Sequence, residues 1–269
     1  GVQKQLESNN TGAETTETTG LTAFNSNGFT VGALAQVNTN TATYVGWQWK
    51  ESATAGFDIV TFNGTGAAQN VSHSLGVAPS MMIVKQRSAT GDWWVYHKYA
   101  NANPQNGTLW LNLTNAWTGP ASYWNNTAPT SSVFTVGAAG GLNANGVTQI
   151  AYLFAEIAGF SKFGSYTGNG SADGPFVYCG FRPKYVMVKC SSAAENWYVE
   201  DASRDTYNVA SRSLEPNLSN AELSSTSYYV DFLSNGFKLR TADTSWNYNG
   251  QTMIYAVFAQ NPFKYANAR

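Results

Sequence analysis

The sequence predicts an all-β protein built from tandem antiparallel β-sandwiches of jelly-roll or concanavalin-like type. Three observations carry this expectation. First, the chain repeats itself: Leu6–Phe29 and Leu214–Phe237 agree at 11 of 24 positions without a gap. Gly76–Lys85 matches Gly180–Lys189, and Asn145–Ala155 matches Asn249–Ala259, at half that spacing, which sets a period of about 104 residues. Second, charged residues make up only 12% of the chain and aromatics reach 14%, a composition that suits pleated, half-buried surfaces. Third, no segment sustains a 3.6-residue apolar period. The nearest are Ala155–Ile157 and Ser213–Leu223, and Pro216 interrupts the second.

The period divides the chain into three. Residues 1–55 are the carboxy-terminal half of a first unit, residues 56–158 a complete second unit, and residues 159–269 a complete third unit with a tail. A period this long exceeds the roughly 20–50 residues of a solenoid repeat, so each unit is a small domain with its own core. Modules strung in series multiply weak contacts, which favours adhesion or structure over catalysis. Almost no linker separates the second and third units around Ala155–Phe163, which predicts stiff neighbours in a rigid rod.

Within a unit the elements follow in order. Met81–Lys85 and Tyr185–Lys189, entered through Pro79 and Pro183, read as core strands. Asp92–Tyr96 and Asn196–Glu200 come next; Trp93 coincides with Trp197, and Val95 and Val199 share that face by the two-residue strand period. Variable stretches at 98–130 and 201–230 precede strands at Phe134–Gly137 and Phe237–Arg240. The pairs Asn145-Gly146 and Asn249-Gly250 predict type I′ turns leading into closing strands at Gln149–Glu156 and Met253–Gln260. Thr43–Lys50 holds the same place in the first unit. Gly64–Gly66 and Gly168–Gly170 are expected as turns, since no helix follows to make a phosphate loop.

Lys and Arg total 15 against 16 Asp and Glu, for a net charge of -1, which gives no footprint for nucleic acid. No apolar run is long enough to span a membrane, so no insertion is expected. Cys179 and Cys190 flank one turn in a geometry unsuited to a disulfide and are expected to pack as ordinary side chains.

The segments GFDIVTFNGTG, HSLGVAPSMMIVKQR, DWWVYH, GFSKFGSYTGNGSADGPFVYCGFRPKYVMVK and NPFKYANAR together resemble the repeat module of tail-fibre and other virion structural proteins of tailed bacteriophages, particularly those of marine and cyanobacterial hosts. The resemblance runs from about residue 24 onward. It implies a β-sandwich, synthesis in the host cytoplasm, and a place on the virion, in a tail or other external appendage. It also implies a native carboxy terminus, and it brings no catalytic residues and no cofactor. The absent front half of the first unit departs from the pattern. It suggests processing, a shortened product, or completion of the sheet by another chain.

Two sets of aromatic residues stand out. Trp110, Trp117, Tyr123 and Trp124 lie in the variable stretch of the second unit, and Trp246 with Tyr248 precedes the last strand. Exposed rings of this kind stack on sugars, so both groups are candidate glycan contacts; packing at a sandwich edge or an intersubunit seam is the competing role. Phe24, Phe29, Tyr44, Trp47 and Trp49 form a candidate assembly surface, because a half sandwich exposes strand edges and an apolar face that recruit partners. His73 and His97 lack partners for catalysis or metal binding. Glu200, Asp201 and Asp205 read as a solvated edge with Arg204 rather than a metal site. The sequence thus points to a non-enzymatic virion protein, a distal tail-fibre component contacting host glycans, homo-oligomeric (a trimer by preference) and bound to other virion proteins. The alternatives are a decoration, adaptor or filament-forming protein that assembles through the incomplete unit and, more remotely, a polysaccharide depolymerase.

Overall fold

The structure, a computed structural model, describes residues 1–119 and 121–261. Residues 1–50 carry two antiparallel strand pairs, β1 (Lys4–Gln5) with β2 (Thr15–Thr16) and β3 (Leu21–Asn25) with β4 (Gly28–Val31), followed by a helical turn α1 (Ala35–Asn38). The second unit contributes β5 (Phe57–Asn63), β6 (Gln69–Ser72), β7 (Met81–Gln86), β8 (Trp93–His97), β9 (Leu109–Trp110), β10 (Val133–Val136), α2 (Gly140–Asn143) and β11 (Thr148–Phe154). Its main sheet runs β5-β11-β7-β8-β9, and β10 pairs with β6 in the facing layer.

The third unit contributes β12 (Ser161–Thr167), β13 (Phe176–Tyr178), β14 (Pro183–Cys190), β15 (Trp197–Asp201), β16 (Arg212–Ser213), β17 (Leu223–Ser224), β18 (Val230–Leu233), β19 (Gly236–Leu239), α3 (Thr244–Asn247) and β20 (Thr252–Ala259). Here the sheets run β12-β20-β14-β15 and β13-β19-β18, with β16 paired to β17. The chain is therefore all-β, made of antiparallel sandwiches. The repeat reaches into register: Lys4 opposes Thr16 as Arg212 opposes Ser224, and Phe24 opposes Phe29 as Phe232 opposes Phe237.

Each complete unit has its own core between its layers. In the second unit Met82, Val84, Trp94 and Tyr96 from β7 and β8 meet Val71, Phe134 and Val136 from β6 and β10. In the third, Val186, Val188 and Tyr198 meet Val177, Phe232 and Phe237. Alternation sends Met81, Trp93 and Val95 to the other face, yet β8 and β15 are buried along their whole length. Both faces of these sheets are covered, and the second covering is a core shared between units. That core joins Met81, Trp93 and Val95 to Met187, Trp197 and Val199, with Leu6, Trp47 and Trp49 of the first unit packed against it.

The shared core corrects the expected rod. Trp49, Phe154 and Phe258 end the closing segments of the three units and pack on one another edge to face, with centroids 6.2, 5.5 and 6.0 Å apart. Three equivalent rings in mutual contact place the units around a common pseudo-threefold axis, not end to end. The connection between units makes the bend. Gly56 and Gly159, at φ 66° and 74°, occupy the left-handed region just before β5 and β12.

Neither Ser213–Leu223 nor Ala155–Ile157 is helical, in keeping with the lack of a sustained apolar period there, and α1, α2 and α3 each lie just before a closing segment. One further expectation is corrected locally. The Asn-Gly pairs do not form type I′ turns, because only Gly146 and Gly250 have positive φ, at 72° and 71°. The Val147 amide bonds to the Ala144 carbonyl and the Gln251 amide to the Tyr248 carbonyl, the pattern of a type II turn that links a helical turn to a strand. In the first unit Thr41 takes the glycine position at φ 68°. Cys179 and Cys190 are free and buried, and burial pushes the Cys179 thiol up to about 12.

Candidate functional site

The most distinctive chemistry of the chain lies where units meet, and it occurs twice with the same parts. At the first joint the Lys85 ammonium donates to the Thr11 carbonyl at 3.1 Å and the Trp93 indole N–H to the Glu7 carbonyl at 2.9 Å. The Glu14 amide donates to the Arg87 carbonyl and the Gly91 amide to the Thr11 carbonyl. At the second joint the Lys189 ammonium donates to the Thr114 carbonyl at 3.1 Å and the Trp197 indole N–H to the Trp110 carbonyl at 2.8 Å. There the Trp117 amide donates to the Ser191 carbonyl and the Glu195 amide to the Thr114 carbonyl. A β-hairpin with a buried lysine and a tryptophan thus docks on an irregular backbone segment of the preceding unit.

The lysines are fully buried. Burial lowers the Lys189 ammonium to about 8 and moves Lys85 in the same direction. Their hydrogen bonds to carbonyls, including their neighbours Gln86 and Cys190, offset the desolvation. The joint also holds His97, whose Nε2–H donates to the Tyr255 carbonyl across the second interface at 3.1 Å while Nδ1 accepts from the Tyr99 amide. Desolvation lowers this imidazole to about 4, with the Tyr255 bond opposing the shift. The matching position in the third unit is Asp201, which accepts the Trp47 indole N–H at 3.2 Å.

The candidate glycan residues fare differently from their expected exposure. Trp124 and Trp246 are fully buried, and Trp110 is nearly so. Trp124 packs edge to face on Tyr96, Trp110 and Tyr123 pack on Trp94, and the Trp246 carbonyl accepts the Tyr166 hydroxyl. Trp110 and Trp124 fill the core of the second unit because its variable stretch folds back over the sandwich, and Trp246 fills the core of the third from α3. Tyr248 is half-buried in the turn before β20. Of the set, Trp117 keeps a partly open edge. With Tyr99, Asn101, Ser191 and Ser192 it lines a groove of about 490 Å³ along the second joint.

The assembly residues divide in two. Phe24, Phe29 and Tyr44 are exposed, at 66, 40 and 52%, whereas Trp47 and Trp49 are half-buried against Tyr185 and Phe258 of the shared core. A hollow of about 1110 Å³ lies beside them, lined by Tyr185, Lys184 and Phe258. The acidic group is not a solvated edge throughout. Asp201 pairs with Arg204 at 2.7 Å and Asp205 with Arg212 at 3.4 Å, but Glu200 is fully buried without a hydrogen-bond partner among the described residues. Burial raises its carboxyl well above the usual range. Among the described residues no cluster of three or more His, Cys, Asp or Glu side chains could hold a metal ion, and no helix is long and apolar enough to cross a membrane.

Sequence reasoning aligned Lys85 with Lys189 and Trp93 with Trp197 but placed them within units, not between them. The available signal was the retention of a lysine at the end of a core strand in both copies.

Residues 1–262 match a family described as "Domain of unknown function (DUF7483)". No curated protein and no solved structure matches the chain.

Proposed function

The chain belongs to the DUF7483 family, domains of unknown function, and on that footing we propose that it is a non-enzymatic structural component of a bacteriophage virion appendage, of tail-fibre type. In this role it is a rigid adaptor that assembles with other virion proteins. The observation that carries this reading is the lysine-tryptophan joint repeated between successive units. Such a joint spends buried polar groups on fixing one domain against the next, a specification of geometry and not of chemistry. The resemblance of the repeat to virion modules supplies the setting. Electron microscopy of purified virions labelled with antibodies to the chain tests it. Label on an external appendage is the expected result, and virions free of the chain would overturn the reading.

A second reading, contact with a host glycan, is favoured by the groove along the second joint. Trp117 and Tyr99 offer ring edges beside Asn101, Ser191 and Ser192, an apolar and polar mixture suited to a sugar. Trp117→Ala in a folded chain is expected to lower host-cell or glycan-array binding; unchanged binding removes this reading and leaves the adaptor role.

A further inference from the structure

We propose that the groove along the second joint binds one uncharged pyranose, held by the second and third units together and selected against sugars that carry a carboxylate. The inference deepens the reading of this groove as a host-glycan contact and rests on it. Three observations carry it to the class of sugar.

The first is that one joint is closed where the other is open. The two joints match in their backbone bonds: the Glu14 amide donates to the Arg87 carbonyl and the Trp117 amide to the Ser191 carbonyl, each at 2.8 Å. At the first joint these two residues also close the seam with a two-pronged ion pair, Arg87 Nε and Nη2 donating to the Glu14 carboxylate at 2.7 and 2.9 Å. At the second joint an indole ring stands in place of the carboxylate and a hydroxymethyl group in place of the guanidinium. The short Ser191 side chain does not fill the seam, and a hollow of about 490 Å³ remains, inside the size range of small-molecule sites.

Second, the aromatic wall is set before a ligand arrives. The Trp117 ring lies on the backbone of two glycines: a Cβ at Gly107 would stand 2.5 Å from Cζ2, and one at Gly119 would stand 2.6 Å from Cη2. A ring seated in this way needs little further ordering when a ligand stacks on it. Tyr99, 37% exposed, lines the same groove, so an apolar ring face has two aromatic neighbours to meet.

Third, the polar lining is uncharged and in part unengaged. No acidic or basic side chain lines the groove. Lys98 stays outside the lining, its ammonium 5.7 Å from the centroid of the Tyr99 ring. Tyr99 and Thr252 bond through their backbone amides and Asn101 through Oδ1, which leaves the Tyr99 hydroxyl, the Asn101 Nδ2 and the Thr252 Oγ1 without a partner among the described residues. These groups suit the hydroxyls of a neutral sugar. A carboxylate entering the groove would shed its water with no cation to pair with it. The lining is also divided between units, with Tyr99, Asn101 and Trp117 from the second and Ser191, Ser192 and Thr252 from the third, so a bound sugar bridges the joint.

The test is a ligand-observed NMR titration of the 269-residue chain with methyl α-glucopyranoside, methyl β-galactopyranoside and N-acetylglucosamine, set against glucuronate and N-acetylneuraminate. At least one neutral sugar is expected to bind with a dissociation constant of about 1 mM, the strength that a ligand of about a dozen heavy atoms reaches at ordinary efficiency. Both acidic sugars are expected to bind more weakly than that sugar. Trp117→Glu combined with Ser191→Arg rebuilds the Glu14–Arg87 pair at the second joint; the double variant is expected to keep a single melting transition and to lose the sugar by at least about tenfold. Asn101→Ala, at an exposed loop residue, and Thr252→Val each remove one hydrogen-bonding group, one from each unit, and are expected to weaken binding by roughly two- to tenfold. These single variants decide the matter if the double variant does not fold. Neutral-sugar binding unchanged in the folded double variant, or in either single variant, would overturn the proposal. An acidic sugar that binds more tightly than every neutral one would also overturn it, while leaving the glycan reading in place. Binding of none of these sugars would overturn it as well; glycan-array binding that still depends on Trp117 would then preserve the glycan reading, and its loss would remove both.

Discussion

Trp49 and Phe258 meet edge to face with ring centroids 5.5 Å apart and planes at 68°, although one belongs to the first unit and the other to the last strand of the third. Phe154 of the second unit closes the triangle. An edge-to-face pair of this kind is worth about 0.5–1.5 kcal/mol beyond its buried area. A double-mutant cycle with Trp49→Ala and Phe258→Ala, read by urea unfolding, is expected to return a coupling in that range. Additive effects would show that the two rings do not share an environment.

Lys189→Ala removes the donor to the Thr114 and Cys190 carbonyls and opens a void at a fully buried position. A loss of about 2–4 kcal/mol is expected, from the cavity and the unpaired carbonyls together. Lys189→Met keeps the volume and removes an ammonium that burial has already lowered to about 8, so its cost is expected to be smaller. Denaturation midpoints of the two variants check the ranking.

His97 makes stability depend on pH on the acid side. The unfolded chain takes up a proton near the ordinary value of 6.5, while burial holds the folded imidazole to about 4. Between these values the unfolded state binds the extra proton, so stability is full above about 6.5, falls as pH drops towards 4, and levels below. The loss is on the order of 3 kcal/mol. His97→Gln is expected to flatten this fall in melting temperature between pH 7.5 and 4.5.

Glu200 acts with the opposite sign. Its buried carboxyl stays protonated well above the ordinary 4.5, whereas the unfolded chain ionises there. Its contribution is therefore present at low pH and is lost as pH rises past about 4.5. Glu200→Gln replaces the buried acid by a neutral group and is expected to raise stability at pH 7.5, with less gain at pH 4.5. Because the His97 and Glu200 slopes oppose each other, thermal melts of each single variant across pH separate them.

The strands were legible because the repeat printed each twice: Met81–Lys85 and Tyr185–Lys189 lie within β7 and β14. The rotation between units was not. A period counts copies, and the turn from rod to ring depends on single left-handed residues at Gly56 and Gly159. Lys85 and Lys189 were visible as a coincidence, but lysine is so seldom buried that residue type argues against a core position. Trp110, Trp124 and Trp246 were misplaced for a related reason. A tryptophan in a variable stretch, as Trp110 and Trp124 are, or in the loop before the last strand, as Trp246 is, reads as surface, and only the fold shows these segments closing over their own sandwich.

Calorimetry tests most directly whether three units share one core. The joints and the aromatic triangle predict a single cooperative transition, with calorimetric and van't Hoff enthalpies in agreement. Two separate transitions, with the second and third units melting independently, would contradict the shared core and the assembly built on it.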